Sequence, residues 1–420
     1  MLPKNTIYST GLVLLTMARL AYAGDELSGL FTDAKLSGTL RAYQFTRAFE
    51  NNATSDTHAF ALGGKLKAET GDFHGFSAGL GYYFANDLNL SNHDDNNSHL
   101  TTILMGEGHT LSTVGEAYLQ YKNDLLLLKA GRQTMDTPWI NAGDATLIPN
   151  LYQGYTAAIT PYEGLKIEAD RILAFKHRTT SGFDRDTVLA TPNSKPAVTE
   201  DTDGAIALGV SYKNASVSAK AWLYRFYDYA NLGYLQAGYT FPALRSVQPF
   251  AEVQYMKETD SGAALAGAVD SQAYGAKIGL LLPDKLGSVF IAYNKVPHNN
   301  EAGVTNGNLV SPYTQGYVTD PLYTSGLNYG LVTARAAGEA WQLGMKLSLC
   351  NQKLDIIPAF TSFHTEPYAA NIQTYLVDVA YHFSDKLNGL TLRNRLGVNH
   401  GNPQWGDYTI DNRVMVSYAF

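Results

Sequence analysis

Three arginines near the end of the chain have a spacing suited to ion binding. Arg393 and Arg395 are two residues apart in one strand-like segment, and Arg413 lies in the next one. Because residues i and i+2 of a strand point to the same side, all three guanidinium groups are expected on one face of adjacent strands. Like charges at this spacing repel unless they pair with acids or attract anionic groups. The spacing therefore predicts a positive surface that does one or the other.

Other charged side chains fall on the same face of the predicted strands. The basic members of this set are Arg41, Lys220, Lys277 and Lys346, and the acidic members are Glu116, Glu168, Asp170, Glu252 and Asp378. Alternation determines which face a residue takes but not its height along the strand. Two interpretations stay open, a generally polar face turned to water and a specific path that steers ions.

The sequence contains no recognisable catalytic or metal-binding motif. There is no G-x-S-x-G or H-E-x-x-H, and the single cysteine, Cys350, excludes a cysteine-pair site. Solvated surface positions are expected for the four histidines near loop ends, His58, His298, His364 and His400. Loop carboxylates could gather Ca²⁺, but solvated loops are the simpler interpretation for Asp94, Asp95, Asp184 and Asp186. We therefore expect no enzyme, no cofactor and no metal site.

The first residues are typical of an export signal. Lys4 precedes an apolar run, and Ala21, Tyr22 and Ala23 form the small-x-small pattern that signal peptidase recognises. Cleavage after Ala23 would remove residues 1–23, which hold Lys4 and Arg19 and no acid, and would change the formal net charge from −7 to −9. An acidic chain without a basic tract does not favour nucleic acid as a partner. We expect residues 24–420 to form a single domain.

Alternation of apolar and polar residues recurs along the whole mature chain. In one segment Trp341, Leu343 and Met345 alternate with Gln342, Gly344 and Lys346. Such segments predict about 18 strands, close to residues 36–46, 57–69, 74–84, 113–122, 124–132, 151–160, 164–176, 203–213, 215–225, 232–241, 246–257, 271–281, 286–296, 338–347, 353–363, 372–383, 389–399 and 407–420. One polar face is expected throughout, opposite an apolar face.

The connections favour a membrane barrel over a soluble β-protein. Short ones, such as residues 122–124, 213–215 and 283–287, alternate with long ones at residues 85–112, 177–202, 257–270 and 297–337. Short periplasmic turns and long extracellular loops are the pattern of outer-membrane barrels. The predicted fold class is all-β, a transmembrane β-barrel of about 18 antiparallel strands. Its partners would then include outer-membrane lipid.

The end of the chain and the tyrosines agree with that fold. Val414, Val416, Tyr418 and Phe420 alternate with polar or small residues, and a terminal aromatic resembles the signal read by the barrel assembly machinery. Tyrosines near strand ends suit the bilayer interface. The residues assigned to this aromatic girdle are Tyr82, Tyr83, Tyr212, Tyr239, Tyr293, Tyr381 and Tyr418.

Residues 131–155, GRQTMDTPWINAGDATLIPNLYQGY, interrupt the alternation. Pro138 and Pro149 lack amide donors, so this segment is not a membrane strand. It follows the fifth strand and is therefore the third long-side loop, with residues 133–150 expected inside the lumen. The candidate constriction residues are Asp136, Asp144, Thr146, Asn150 and Tyr152.

The same segment resembles the OprD family of outer-membrane porins. The resemblance rests on Gly131-Arg132-Gln133, Thr137-Pro138, Asp144 and the run 147–154, preceded by Gly115-Glu116-Ala117. It implies a selective channel for small hydrophilic solutes such as amino acids, small peptides and carboxylates, narrowed by the third and seventh loops and lined by a basic ladder. The family commonly has an arginine after the loop aspartate, whereas this chain has Thr146.

These observations predict a passive porin in the outer membrane of a Gram-negative bacterium, either a monomer or a trimer. The alternative is an adhesin or receptor barrel that acts through its long external loops, and a lumen lined by bulky apolar side chains would favour it. A hydrolase built on a barrel would need Ser and His within hydrogen-bond reach on one rim.

Overall fold

The computed structural model describes residues 24–50, 54–94, 96–143, 146–190, 197–301, 306–314, 319–327, 329–334, 337–366, 370–402 and 406–420. Asp144, one of the predicted constriction residues, lies outside the described residues. No helix in the described part of the chain is long and apolar enough to cross a membrane.

Eighteen antiparallel strands form one closed sheet, in which each strand pairs with its sequence neighbours and β1 also pairs with β18. The strands are β1 Lys35–Phe49, β2 Thr57–Glu69, β3 Phe76–Asn86, β4 Thr110–Lys122, β5 Leu126–Gln133, β6 Leu151–Tyr162, β7 Leu165–Lys176, β8 Ala205–Lys213, β9 Val217–Phe226, β10 Ala230–Thr240, β11 Gln248–Asp260, β12 Asp270–Leu282, β13 Gly287–Val296, β14 Gly338–Leu349, β15 Leu354–Thr365, β16 Ala370–His382, β17 Leu390–Asn402 and β18 Gly406–Ala419. Closure leaves no unpaired sheet edge. The predicted barrel is confirmed.

Within the described residues, five short helical segments accompany the strands. Helix α1 is Gly24–Thr32, helix α2 is Leu331–Ala334, and one-turn 3₁₀ segments cover Val188–Ala190, Pro283–Lys285 and Asp385–Leu387. Helix α1 was not predicted. Its Leu30 carbonyl accepts a hydrogen bond from the Gly71 amide at 2.9 Å, so the helix packs on the turn between β2 and β3.

The outward strand faces carry the exposed apolar side chains. Leu119 is 70% exposed, Leu223 is 65% exposed and Leu343 is 56% exposed, while their strand neighbours are buried or face inward. An apolar band of this extent around a closed sheet is stable against lipid rather than water. The alternation along each strand therefore separates a lipid-facing surface from the lumen.

The lumen is not polar along its full height, and this part of the prediction is wrong. On β9, Trp222, Tyr224 and Phe226 alternate with exposed residues and are almost fully buried inside the barrel. Tyr83, expected in the aromatic girdle, also points inward and donates a hydrogen bond to Glu116 at 2.6 Å. These inward rings are covered by loops that enter the lumen, which alternation alone does not reveal.

The alternation of long and short connections is incomplete. On the side of the long loops, β9 and β10 are joined by three residues, 227–229, and β17 and β18 by residues 403–405. The turn side is short throughout, in agreement with the prediction. The four longest connections are residues 87–109, 134–150, 177–204 and 297–337, which we call the second, third, fourth and seventh loops.

Candidate functional site in the barrel lumen

One side of the lumen is formed by β16, β17, β18 and β1 and carries most of the predicted arginines. Cross-strand register places Asp378 opposite Arg395, Arg395 opposite Arg413, and Asp411 opposite Arg47. We call the set of Arg41, Arg47, Asp378, Arg393, Arg395, Asp411 and Arg413 the arginine wall.

Asp378 joins two of these arginines. Arg393 donates from Nε to Asp378 Oδ1 at 2.8 Å and from Nη2 to Oδ2 at 2.6 Å. Arg395 donates from Nε to the same Oδ2 at 2.8 Å. The side chains of Arg393 and Arg395 keep 24% and 13% of their surface exposed. Bidentate pairing fixes the guanidinium planes while part of each group still faces the lumen.

Asp411 forms a second, more deeply buried group. Arg47 donates to it from Nε at 2.6 Å and from Nη2 at 2.8 Å, and Arg413 donates from Nη2 at 3.1 Å. Both Asp411 and Arg413 have fully buried side chains, and the Arg413 guanidinium lies 4.6 Å from the centre of the Phe45 ring. Arg413 therefore holds the wall together and does not present its charge to a solute.

The arginine wall has an excess of positive charge. Five arginines face two aspartates, so the group carries three more positive than negative formal charges. The guanidinium groups remain charged at any physiological pH. A low-dielectric barrel wall lets such an excess act over a longer distance than it would in bulk water. The wall is therefore suited to attract anions.

The third loop crosses the lumen and packs on the opposite side. Trp139 is fully buried, its backbone N–H donates to Tyr224 Oη on β9 at 3.3 Å, and Tyr224 Oη donates to Thr137 Oγ1 at 3.2 Å. Met135, Trp139 and Ile140 belong to a large apolar cluster with the rings of β7, β9 and β10. Burial of one large aromatic side chain stabilises such a contact by ~3 kcal/mol.

The seventh loop is hydrogen-bonded to the third loop and to the start of β6. Asn141 Nδ2 donates to the Thr319 carbonyl at 2.7 Å, Thr314 Oγ1 donates to the Trp139 carbonyl, and Tyr152 Oη donates to the Tyr313 carbonyl at 3.2 Å. The first two contacts join the third and seventh loops, and the third joins β6 to the seventh loop; all three span more than 150 residues in sequence. The two loops therefore form one packed unit inside the barrel.

The seventh loop is itself attached to the barrel. The Val310 amide donates to Glu258 Oε2 on β11 at 2.7 Å, and the Thr324 amide donates to Asn294 Oδ1 on β13 at 3.1 Å. Tyr329 Oη and Thr365 Oγ1 on β15 are 3.1 Å apart. Three different strands therefore anchor the unit formed by the two loops.

The return segment of the third loop reaches the arginine wall. Arg41 Nη1 donates to the Thr146 carbonyl at 3.3 Å, and Arg41 Nε donates to Ser417 Oγ on β18 at 3.0 Å. Leu147, Ile148 and Leu151 pack in a second apolar cluster with side chains of β1 to β4 and β18. The loop is thus held at both sides of the lumen.

The predicted constriction residues differ in environment. Asp136 is exposed, whereas Thr146, Asn150 and Tyr152 are buried at 5%, 1% and 0% exposure. Thr146 Oγ1 donates to the Ile148 carbonyl at 2.7 Å, and the Asn150 amide donates to the Ala142 carbonyl at 3.0 Å. These three residues are therefore buried side chains whose hydrogen bonds and packing support the loop.

The other predicted lumen residues lie on the inward strand faces. Glu252 pairs with Lys277 at 2.8 Å and Glu168 with Lys166 at 2.5 Å. Asp170 accepts a hydrogen bond from Thr156 Oγ1 at 2.6 Å. Lys220 and Lys346 are exposed on inward positions of β9 and β14. Glu116 is buried between Lys65 at 3.6 Å and Lys67 at 3.3 Å.

Several charged residues of the lumen were not predicted from the sequence. They are Arg47, Lys65, Lys67, Lys129 and Asp411. Alternation could have found Arg47 and Asp411, since they share the parity of Arg41 and Arg413 on the same strands. Lys129 lies over the Tyr118 ring at 3.7 Å, on a strand whose leucines dominate its pattern.

Two loop carboxylates have shifted pKa values. Burial raises the pKa of Asp320, which accepts hydrogen bonds from Ser325 Oγ and the Leu322 amide. Burial, followed by repulsion from Asp184 and Asp201, raises the pKa of Asp186 to about 6. Since the charged form is disfavoured, Asp186 gains a proton when the pH falls slightly below neutrality.

A closed barrel with an apolar outer band, charged lumen walls and loops folded inward defines a β-barrel channel of the outer-membrane type. Residues 28–319 match the family model described as outer membrane porin, OprD family. The chain belongs to the OprD family of outer membrane porins. Members of that family are Gram-negative outer-membrane proteins, and porins are channels rather than enzymes.

Solved porin structures have the same fold. Pseudomonas aeruginosa OccK9 (OpdG) aligns with a TM-score of 0.79 and 20% identity over 93% of this chain and 99% of that one. The P. aeruginosa OpdK structure with vanillate gives 0.72 and 19% over 93% and 100%. The P. aeruginosa OccK2 (OpdF) complex with glucuronate gives 0.74 and 16% over 93% and 97%. No curated protein sequence matches the chain.

Proposed function

We propose that this porin is a passive channel that prefers small hydrophilic solutes bearing a carboxylate. The observation that carries the proposal is the excess of three positive charges on the arginine wall beside the return segment of the third loop. Arg393 and Arg395 supply the charge that a passing solute would meet, because their side chains stay partly exposed.

The third and seventh loops form the proposed constriction. Their mutual hydrogen bonds and their attachment to β9, β11 and β13 keep them rigid enough to define a fixed opening. The opening would lie between this packed unit and the arginine wall, with Arg41 at the junction. A solute that keeps most of its hydration would be selected there by size and charge.

Thr146 changes how the carboxylate preference arises. The family resemblance implied an arginine in the loop, and this chain has none at Thr146. The Thr146 carbonyl instead accepts a hydrogen bond from Arg41 of β1. We infer that the charge acting on the solute comes from the barrel wall, while the loop supplies shape.

Export and assembly complete the proposal. Residues 1–23 would act as a signal peptide, and Phe420 would be read by the barrel assembly machinery. The Phe420 amide donates to the Gly38 carbonyl at 3.1 Å, so the terminal residue also completes the pairing of β18 with β1. With both ends of the barrel on the short-turn side, the long loops would face the outside.

Solute preference can be tested by swelling of liposomes that contain the purified protein. Glucuronate and glucose are a matched pair, because they have the same ring and differ by a carboxylate. We expect faster entry of glucuronate at equal osmolarity, and no entry into liposomes without protein. Equal entry of both sugars, or faster entry of glucose, would contradict the proposed carboxylate preference.

A further inference from the structure

The base of the second loop brings together Asp87, His93 and His109. We propose that these three side chains form a binding site for a divalent transition-metal ion, with Zn²⁺ as the best-fitting occupant. Asp87 follows directly after β3, His109 directly precedes β4, and His93 returns to them from within the loop.

The potential ligand atoms of the three side chains already lie close together. His93 Nε2 is 2.8 Å and His109 Nδ1 is 3.0 Å from the same carboxylate oxygen, Asp87 Oδ2. The potential ligand atoms all lie within 4.8 Å of one another. Tetrahedral zinc with bonds of ~2.0–2.1 Å holds its ligands about 3.3 Å apart. Small side-chain rotations would therefore create a three-ligand set.

The surrounding backbone fixes this geometry. The Asp87 amide donates to the His109 carbonyl at 3.0 Å, which continues the pairing of β3 with β4 by one residue. The Asn89 amide donates to Asp87 Oδ1 at 2.9 Å, so the other oxygen is directed at the histidines. Ser91 Oγ bonds to both the amide and the carbonyl of Phe60, at 3.0 and 3.1 Å, and anchors the segment that carries His93.

The choice of metal follows from the donor atoms. Two imidazole nitrogens and one carboxylate oxygen suit Zn²⁺, whereas Ca²⁺ prefers a shell of oxygen atoms. The His93 and His109 rings lie 3.9 Å apart, and one nitrogen of each ring lies within 3.0 Å of the same Asp87 oxygen.

Access and burial also fit a metal site. The Asp87 side chain is 1% exposed and that of His93 is 15% exposed, whereas that of His109 is 55% exposed. The ion would enter from the side of His109, and water would complete its coordination there. Among the described residues, this is the one group of three ligand side chains close enough to share an ion.

None of the loop carboxylates considered for Ca²⁺ binding, and none of the four histidines expected near loop ends, belongs to this site. Asp94, next to Asp95 in the same loop, instead accepts hydrogen bonds from the amide and hydroxyl of Ser98. His93 and His109 lie 16 residues apart, and they meet because β3 and β4 bring the two ends of the loop together.

Isothermal titration calorimetry with ZnCl₂ tests the site on the folded full-length porin, prepared without a histidine tag. We expect one Zn²⁺ per chain and little heat from CaCl₂. His93→Gln and His109→Gln should each weaken Zn²⁺ binding at least tenfold. Absence of Zn²⁺ binding, or wild-type affinity in both variants, would overturn the proposal and leave the cluster as a hydrogen-bonded loop clasp.

Two matched variants exclude other sources of zinc binding. His99→Gln removes a histidine of the same loop, whose Nδ1 contacts the Asp56 carbonyl at 3.0 Å, and Cys350→Ser removes the exposed thiol. Both should bind Zn²⁺ like wild type. The Co²⁺ complex gives a second readout, since its visible absorption should show imidazole ligation that is lost in His93→Gln. The heat-induced shift in gel mobility checks that each variant is folded.

Discussion

The two sides of the lumen use opposite means to shape the same passage. In the arginine wall Arg393 and Arg395 keep part of their surface exposed, and Arg41 donates a hydrogen bond to the Thr146 carbonyl of the third loop. The facing side, formed mainly by β6 to β15, consists of buried rings covered by the third and seventh loops. One side carries an excess of positive charge, and the other carries most of the buried aromatic side chains together with paired charges such as Lys277 and Glu252.

This division separates conductance from selectivity. In the proposed channel, loop packing sets the width of the passage, and Trp139 and Tyr152 are fully buried side chains that hold the loops in the lumen. The sign of the field comes from arginines that the barrel strands hold in place. Changes to the loops should therefore alter the size of the current more than its ion preference.

Shortening residues 137–150 to a glycine-serine link should have the largest effect. Conductance should at least roughly double, because the narrowest cross-section limits a water-filled pore. The noise of the current should fall, and preference for anions should persist since the arginine wall is unchanged. Planar bilayer recordings measure all three quantities. Loss of anion preference with the loop would show that selectivity does not reside in the wall.

Trp139→Ala tests the apolar side alone. Removing a fully buried indole should cost ~3–5 kcal/mol of packing free energy and loosen the third loop, although the backbone N–H of residue 139 can still donate to Tyr224 Oη. We expect noisier currents and a lower unfolding temperature. The control is Trp341→Ala, which removes a 53% exposed indole from the outer face. Equal current noise in the two variants would argue against a supporting role of Trp139.

Gly143→Ala should disturb the contact between the two loops more mildly. Gly143 has a φ of +65°, and an added Cβ would lie 2.8 Å from Thr319 Cγ2. Backbone strain and that close approach should cost ~1 kcal/mol or more. Gating noise should rise while the unfolding temperature of the barrel barely changes. In Gly182→Ala, in the fourth loop, the added Cβ would lie at an ordinary contact distance of 3.5 Å from Asp184 Oδ2, and this variant serves as the control.

The smallest predicted effect is a pH dependence of the fourth loop. The pKa of Asp186 is raised from 3.8 to about 6, so the loop gains stability as the pH falls through about 6 and loses it as the pH rises. Between pH 7.5 and 5, exchange of the Val188 amide, which donates to the Pro312 carbonyl at 2.9 Å, should slow beyond the intrinsic pH effect. Hydrogen–deuterium exchange measures this. Asp186→Asn should abolish the additional slowing.

The strands could be predicted because alternation is a local property. All eighteen predicted segments correspond to strands, with end differences of at most three residues, as at β1, which ends at Phe49 rather than Thr46. On β4 the alternation is interrupted, because its register with β3 shifts between Gly81 and Tyr82, so Val114 and Ala117 both face outward although they are three residues apart. Such elements need no knowledge of distant contacts.

The packing of the lumen could not be predicted in the same way. The contact of Trp139 with Tyr224 joins residues 85 apart, and the pair of Arg47 and Asp411 joins residues 364 apart. Alternation placed Arg413 on the inward face but could not show that Asp411 and Phe45 bury it. An inward aromatic residue such as Tyr83 is predicted to face the lipid, because hydrophobicity alone does not show whether a side chain contacts lipid or a loop that covers it inside the barrel.

Selection of anions by the arginine wall is tested most directly by the reversal potential in a salt gradient, measured for wild type and for the Arg393→Gln/Arg395→Gln double variant. Wild type should be anion-selective, and the double variant should shift clearly toward cations, because Asp378 would lose both partners. Arg171→Gln/Arg225→Gln removes two outward-facing arginines that lie over Tyr227 and should leave the potential nearly unchanged. A cation-selective wild type, or equal potentials in wild type and the Arg393→Gln/Arg395→Gln variant, would contradict selection by the arginine wall.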